Sequence, residues 1–169
     1  MGVMTNVLVH LQEVAEAKGW RRAQRLVSVA FDSLKIRGAC IYSSSSMELV
    51  GLAERETERV VTMEWESWLH PRDRTAPEFA KDYFVFYACS IGLTNKEDHF
   101  VLPVARYATS CAQAGDISGM VTAVVGDLAD YGFHTSFITS DGAAENRSFF
   151  KQVPSPPSFV RFHHALGSL

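Results

Sequence analysis

Three segments of the chain carry the pattern of a helix. Residues 6–18 and 116–131 each keep an apolar stripe at helical spacing, and Gly19 and Gly132 follow directly. The stripes consist of Val7, Leu11 and Val14 in the first segment and of Ile117, Met120, Val124, Leu128 and Tyr131 in the second. These patterns predict two amphipathic helices, each ended by a glycine. Residues 143–152 predict a third, shorter helix.

Other segments alternate apolar and polar residues with the period of a strand. In residues 26–36, Val27, Val29 and Phe31 fall on one side and Ser28, Ala30 and Asp32 on the other, which predicts a largely buried strand that ends near Asp32. Residues 38–53 and 83–109 each hold two apolar runs around a polar turn, as β-hairpins do. Residues 134–140 predict one more strand, which ends abruptly in Asp-Gly.

The order of these elements predicts an α/β fold with a mixed sheet, made of antiparallel hairpins plus a parallel strand and flanked by helices. A right-handed crossover would place residues 134–140 beside the first long strand. We divide the chain into a lead-in helix (1–25), the sheet domain (26–153) and an irregular tail with prolines (154–169). Residues 54–81 are dense in charge and contain Trp65 and Trp68, and we interpret them as a connecting excursion.

Composition narrows the classes of function. The net charge of −3 over 169 residues is not that of a strongly basic, self-sufficient nucleic-acid binder. The three cysteines, Cys40, Cys89 and Cys111, are scattered and lack zinc-finger spacing. The start of the chain lacks a secretory pattern, and the apolar stretch 83–93 is about half of what spans a bilayer. We expect an intracellular protein, nuclear or cytoplasmic, with no membrane partner.

Two aspartates are the leading candidates for chemistry. Asp32 follows one apolar strand and Asp141 ends another, so adjacent parallel strands would bring the two carboxylates together. Paired carboxylates bind Mg²⁺ or Mn²⁺, and two such ions about 4 Å apart can promote phosphodiester hydrolysis. Structural alternatives exist for both. Asp141 can end a strand or cap the next helix with help from Glu145, and Asp32 can pair with Lys35 or Arg37.

Other conspicuous residues have ordinary explanations. His163 and His164 are adjacent and lack partner ligands, which is typical of exposed tail residues. A cluster of arginines at positions 21, 22 and 25 could contact a phosphate backbone, and a solvated helix edge explains it equally well. The aromatic run 83–87 favours sheet packing over base stacking.

Four sequence blocks, in order, resemble the RNase H-like catalytic domain of P-element-type DNA transposases. Residues 31–36 (FDSLKI) are similar to the family's FDEMKI, and residues 48–51 (ELVG) to part of TGELIGF. Residues 100–109 are similar to FPVAYFAT, and residues 139–150 (TSDGAAENRSFF) to TCDGASxNRKFF. Together the blocks cover about residues 26–151.

The resemblance implies an RNase H-like fold, incomplete at its C-terminus, and metal-dependent cleavage and strand transfer of DNA. It implies that Asp32 and Asp141 are catalytic acids and ligands of Mg²⁺ or Mn²⁺. The family's third acid comes from a later helix, so we expect a truncated domain that is inactive alone. Ser33 departs from the family's acidic residue. DNA is the implied partner, bound weakly by this chain alone, with full-length transposase or a second copy as further partners.

Two other functions remain open. The chain could be a non-catalytic binding or regulatory module derived from a transposase, its carboxylates being relics. A weaker alternative is an unrelated α/β hydrolase, but neither a G-x-S-x-G elbow nor a phosphate-binding loop supports it.

Overall fold

A computed structural model describes residues 2–37, 41–43, 48–50, 79–111, 113–141 and 143–152 of the chain. Side chains are described for these residues except 41–43, 48–50 and Glu145. The predicted excursion lies almost wholly outside this part, with Trp65 and Trp68, and so do Cys40 and the tail with His163 and His164. Within the described residues, no helix is both long enough and apolar enough to cross a bilayer.

Five strands form the main sheet, in the order β1-β6-β5-β2-β7. Their bounds are β1 Gly2–Val3, β2 Leu26–Lys35, β5 Asp82–Ser90, β6 Val101–Thr109 and β7 His134–Ser140. The β2–β7 pair is parallel, and the other three pairs of neighbours are antiparallel. The predicted mixed sheet, with hairpins and one parallel strand, is therefore confirmed.

Both predicted hairpins form, but they belong to different sheets. Strands β5 and β6 pair along their length, and a register shift places Pro103 opposite Tyr87 beside the irregularity. Proline has no N–H to donate to the ladder, so it is tolerated beside an irregularity, where the regular hydrogen bonding is interrupted. The earlier hairpin consists of β3 Ile41–Ser43 and β4 Glu48–Val50, which form a separate two-stranded sheet.

The prediction that the first long strand ends near Asp32 is wrong by three residues. Strand β2 runs on to Lys35, because Ser33, Leu34 and Lys35 continue to pair with the start of β5. What ends at this point is the parallel ladder with β7, whose last pair is Phe31 with Ser140.

In the described part of the chain, three α-helices pack against the sheet: α1 Thr5–Ala17, α2 Ala114–Asp130 and α3 Ala144–Gln152. Gly19 and Gly132 follow α1 and α2 with φ of +63° and +80°, values that a residue with a Cβ rarely adopts. The buried face of α1 is centred on Leu8, Leu11 and Ala15, while the predicted Val7 and Val14 flank it. Met4 precedes α1 without a side-chain cap.

One apolar core joins the helices to one face of the sheet. It contains residues of α1, α2 and α3 together with alternate residues of β2 and β5. The sheet residues in this core include Val27, Val29, Phe31, Phe84, Phe86 and Ala88. Residues 2–25, which we had set apart as a lead-in, share this core through α1 and pair with β6 through β1.

Candidate metal and catalytic site

The parallel ladder between β2 and β7 brings Asp32 and Asp141 to neighbouring places. Its last pair is Phe31 with Ser140; Asp32 is the next residue of β2, and Asp141 directly follows the end of β7. Neighbouring strands in a sheet lie about 4.8 Å apart, so two residues at one register position are close in space. This register agrees with the expected convergence of two positions that are far apart in the chain, and the distance between the two carboxylates stays a prediction.

Asp32 lies on the sheet face opposite the helices. Phe31 is 2% exposed and stacks on Phe86 at a ring distance of 5.2 Å. Successive side chains of a strand point to opposite faces, so Asp32 faces away from this core and is exposed. Asp141 follows the last residue of β7 and is also exposed, and its side chain is hydrogen-bonded to α3.

Within the described residues, Asp32 forms no ion pair with Arg37. Lys35, the other cation proposed as its partner, pairs with a different carboxylate. Lys35 Nζ lies 2.6 Å from Oδ1 of Asp82, a side chain of which 9% is exposed. Asp32 Oδ1 accepts a 2.7 Å hydrogen bond from the backbone N–H of Ser33. A buried carboxylate would need a counter-ion, but Asp32 is exposed because it lies on the open face of the strand.

Asp141 is held by two donors on the same oxygen. Its Oδ1 accepts from the backbone N–H of Ala143 at 3.2 Å and from Nδ2 of Asn146 at 2.6 Å. The first bond orders the connection into α3, so the helix-capping alternative describes part of what this carboxylate does. The side chain of Glu145, the predicted helper, lies outside the described part.

Asn146 is the residue that the sequence argument overlooked. Its side chain is 1% exposed, although asparagine is a polar residue on a short helix. The available signal was spacing, because Asn146 lies three and four residues before Phe149 and Phe150 on one helical stripe. A polar residue on the apolar stripe of a helix requires a buried partner.

The ligand type at this site suits a hard divalent cation, because Mg²⁺ and Mn²⁺ prefer carboxylate oxygens. The number of ligands is small. Among the residues that the structure describes, no group of three or more His, Cys, Asp or Glu side chains is placed to hold a metal. A metal ion bound by Asp32 and Asp141 would therefore need further ligands from water or from other protein groups.

The other candidates from the sequence are the arginine cluster, which lies away from the two acids, and the aromatic run, which packs partly in the core. Arg25 is partly buried, and its Nε donates to the carbonyl oxygen of Trp20 at 3.1 Å. Arg21 and Arg22 are exposed at the 3₁₀ turn 22–25. Within the aromatic run, Phe84 and Phe86 are core residues at 2% and 0% exposure, which confirms the packing interpretation for these two.

Comparison with known proteins identifies the family. The family model for the TNP-like, RNase H N-terminal domain matches residues 1–154. This chain belongs to that family. The resemblance to the RNase H-like domain of transposases, first seen in four sequence blocks, is confirmed by this family match.

A solved structure to which this RNase H-like domain is similar is a Drosophila P element transposase strand transfer complex. The sequence identity is 18% and the TM-score is 0.43. The match covers 77% of this chain and 21% of that one, so this chain spans about a fifth of the transposase that it matches. No curated protein matches the chain.

Proposed function

We propose that this RNase H-like domain supplies two carboxylates, Asp32 and Asp141, to a transposase-type site that cleaves and joins DNA phosphodiesters. The observation that carries the proposal is the parallel register of β2 and β7, whose last pair lies directly before both acids. Bound Mg²⁺ or Mn²⁺ would activate the attacking oxygen and stabilise the leaving one. The two aspartates would hold the ion at the end of the parallel ladder, where both residues are exposed.

The domain is proposed to be inactive alone. Two-metal phosphodiester chemistry needs enough ligands to hold both ions in place, and the described residues contribute two neighbouring carboxylates. The net charge of −3 also makes independent DNA binding weak, because such affinity comes largely from cations that neutralise phosphates. DNA would then be engaged within a larger assembly, with full-length transposase or a second copy of this chain.

The same small ligand number supports a second candidate, a non-catalytic binding or regulatory module. In that case the chain would associate with transposase-type partners and bind no metal. The two candidates therefore differ in a property that can be measured without DNA.

Calorimetric titration of the whole chain with Mn²⁺ distinguishes them. The catalytic proposal predicts weak binding by the wild type and loss of that binding in both Asp32→Ala and Asp141→Ala. Asp130→Ala, which removes an exposed carboxylate at the end of α2, should bind like the wild type. Absence of binding by a folded wild-type sample would overturn the catalytic proposal in favour of the regulatory module.

A nicking assay tests the claim of inactivity. Supercoiled plasmid incubated with the wild type and Mn²⁺ should remain uncut. Nicking that disappears in both aspartate variants would show that the two carboxylates suffice, and the claim that this domain is inactive alone would be wrong.

A further inference from the structure

Asn146 is a buried polar residue beside an exposed carboxylate. Among the described side chains, Ser28, Asp82 and Asn146 are the polar ones classed as buried, and Asn146 is the least exposed of them at 1%. Burying an amide without hydrogen bonds is unfavourable, so a residue of this kind is retained where its bonds are made. Its Nδ2 donates a 2.6 Å bond to Asp141 Oδ1.

The bond leaves the two oxygens of Asp141 in different states. Oδ1 accepts from both Asn146 Nδ2 and the backbone N–H of Ala143. No hydrogen bond to Oδ2 is found within the described residues, and the side chain as a whole is exposed. The carboxylate is therefore held through one oxygen, which leaves the other for a further ligand.

The core fixes Asn146 in turn. One helical turn further along α3, Phe149 is 2% exposed and makes an edge contact with Phe31 at a ring distance of 6.0 Å. Phe150 stacks on the same ring at 6.4 Å. Because Phe31 directly precedes Asp32, the packing that anchors α3 also ties the two acids to one rigid unit.

We propose that Asn146 is a positioning residue that holds Asp141 in the orientation needed to bind a divalent cation. This inference rests on the proposed function. Residues that hydrogen-bond to metal ligands fix the orientation of those ligands and raise affinity for the metal. An amide is suited to this place because it donates a hydrogen bond without carrying a positive charge, whereas a lysine or arginine would compete with the cation.

The first test replaces Asn146 with leucine, which has nearly the same shape and no hydrogen-bonding groups. Calorimetric titration with Mn²⁺ should show binding about 10- to 100-fold weaker for Asn146→Leu than for the wild type. Ile117→Val is the matched control, since it trims a fully buried residue of α2 and lowers the melting temperature. That control should keep the wild-type affinity.

The second test needs no metal and detects the bond itself. The side-chain amide resonances of Asn146 should shift between the wild type and Asp141→Ala, because the variant lacks the acceptor. Unchanged amide resonances would overturn the inference, and so would an Asn146→Leu variant that binds Mn²⁺ within twofold of the wild type.

The two tests also separate this inference from the proposed function. If the wild type binds Mn²⁺ and Asn146→Leu binds equally well, the positioning role alone fails. If the wild type binds no Mn²⁺ while the amide resonances respond to Asp141→Ala, the bond exists without a metal site. Both the proposed function and the positioning role would then be overturned.

Discussion

Phe31 and Asp32 are neighbours on β2 and serve opposite purposes. Phe31 is 2% exposed and contacts the rings of Phe86, Phe149 and Phe150. Asp32 is exposed, and its described hydrogen bond comes from the next residue of its own strand. One face of this strand therefore contributes stability and the other carries the candidate chemistry, so mutations should separate the two.

The largest expected effect is on the core face. Phe31→Ala should lower the free energy of unfolding by about 3–5 kcal/mol, because it removes a buried ring and leaves a cavity. Asp32→Ala should change it by less than about 0.5 kcal/mol, as exposed substitutions usually do. Urea unfolding of both variants provides the measurement, and a comparable loss in Asp32→Ala would contradict the separation of the two faces.

The amino end of β2 offers a different constraint, a close approach of two backbone segments. A Cβ on Gly92 would lie 1.8 Å from the carbonyl oxygen of Ala23, just before β2 begins. Gly92→Ala should therefore destabilise the protein by about 3 kcal/mol, the upper part of the usual range for overpacking.

A glycine in open space is the control for that substitution. A Cβ on Gly119, within α2, would meet nothing within 4 Å. Gly119→Ala should stabilise the protein by about 0.5–1 kcal/mol, because alanine favours the helix. Thermal melts of the two variants should thus move in opposite directions, and a fall in both would refute the steric explanation for Gly92.

The two acids themselves should differ in their effect on stability. Asp141→Ala removes the acceptor of the buried Asn146 amide and should cost about 1–3 kcal/mol, the range for a buried donor left without a partner. In an Asn146→Leu background the same change should cost less, since that donor is already absent. Additive losses in the double variant would show that the two side chains act independently.

The smallest expected effect lies away from both faces. The hydrogen bond from Lys18 holds the pKa of Asp98 below its ordinary value of 3.8. The stability that this pair contributes is fully present when the pH is above 3.8. It is lost as the pH falls through the lower pKa that Asp98 has in the folded protein. Lys18→Met should raise the pKa of Asp98 toward 3.8, as followed by NMR titration, and no change would mean that the pair is not formed in solution.

Local sequence pattern predicted most of the sheet because each element carries its own period. Residues 134–140 were predicted as a strand with the bounds that β7 has, and the β5–β6 hairpin was marked by its polar turn. The placement of β3 and β4 in a separate sheet could not be predicted, because alternation does not encode which strands become neighbours. The same holds for β1, where Gly2 and Val3 pair with Arg106 and Ala105.

The sequence predicted the two acids of the candidate site but not Asn146, which holds one of them. Asp32 and Asp141 were chosen because each follows an apolar strand, and one parallel pairing brings such positions together. Helical spacing could mark Asn146 as a polar residue on the apolar stripe of α3, but it does not reveal the partner, Asp141. For the same reason the pairing of Lys35 with Asp82 was missed.

Paramagnetic broadening by Mn²⁺ tests the central claim, that Asp32 and Asp141 form one site, most directly. In ¹⁵N-labelled protein, substoichiometric Mn²⁺ should broaden the backbone amides of residues 32–33 and of Asp141 and Ala143 over the same range of concentration. Amides near Asp127 and Asp130 on α2 should stay sharp at those concentrations. Broadening at only one of the two acids, or at α2 instead, would contradict a shared metal site.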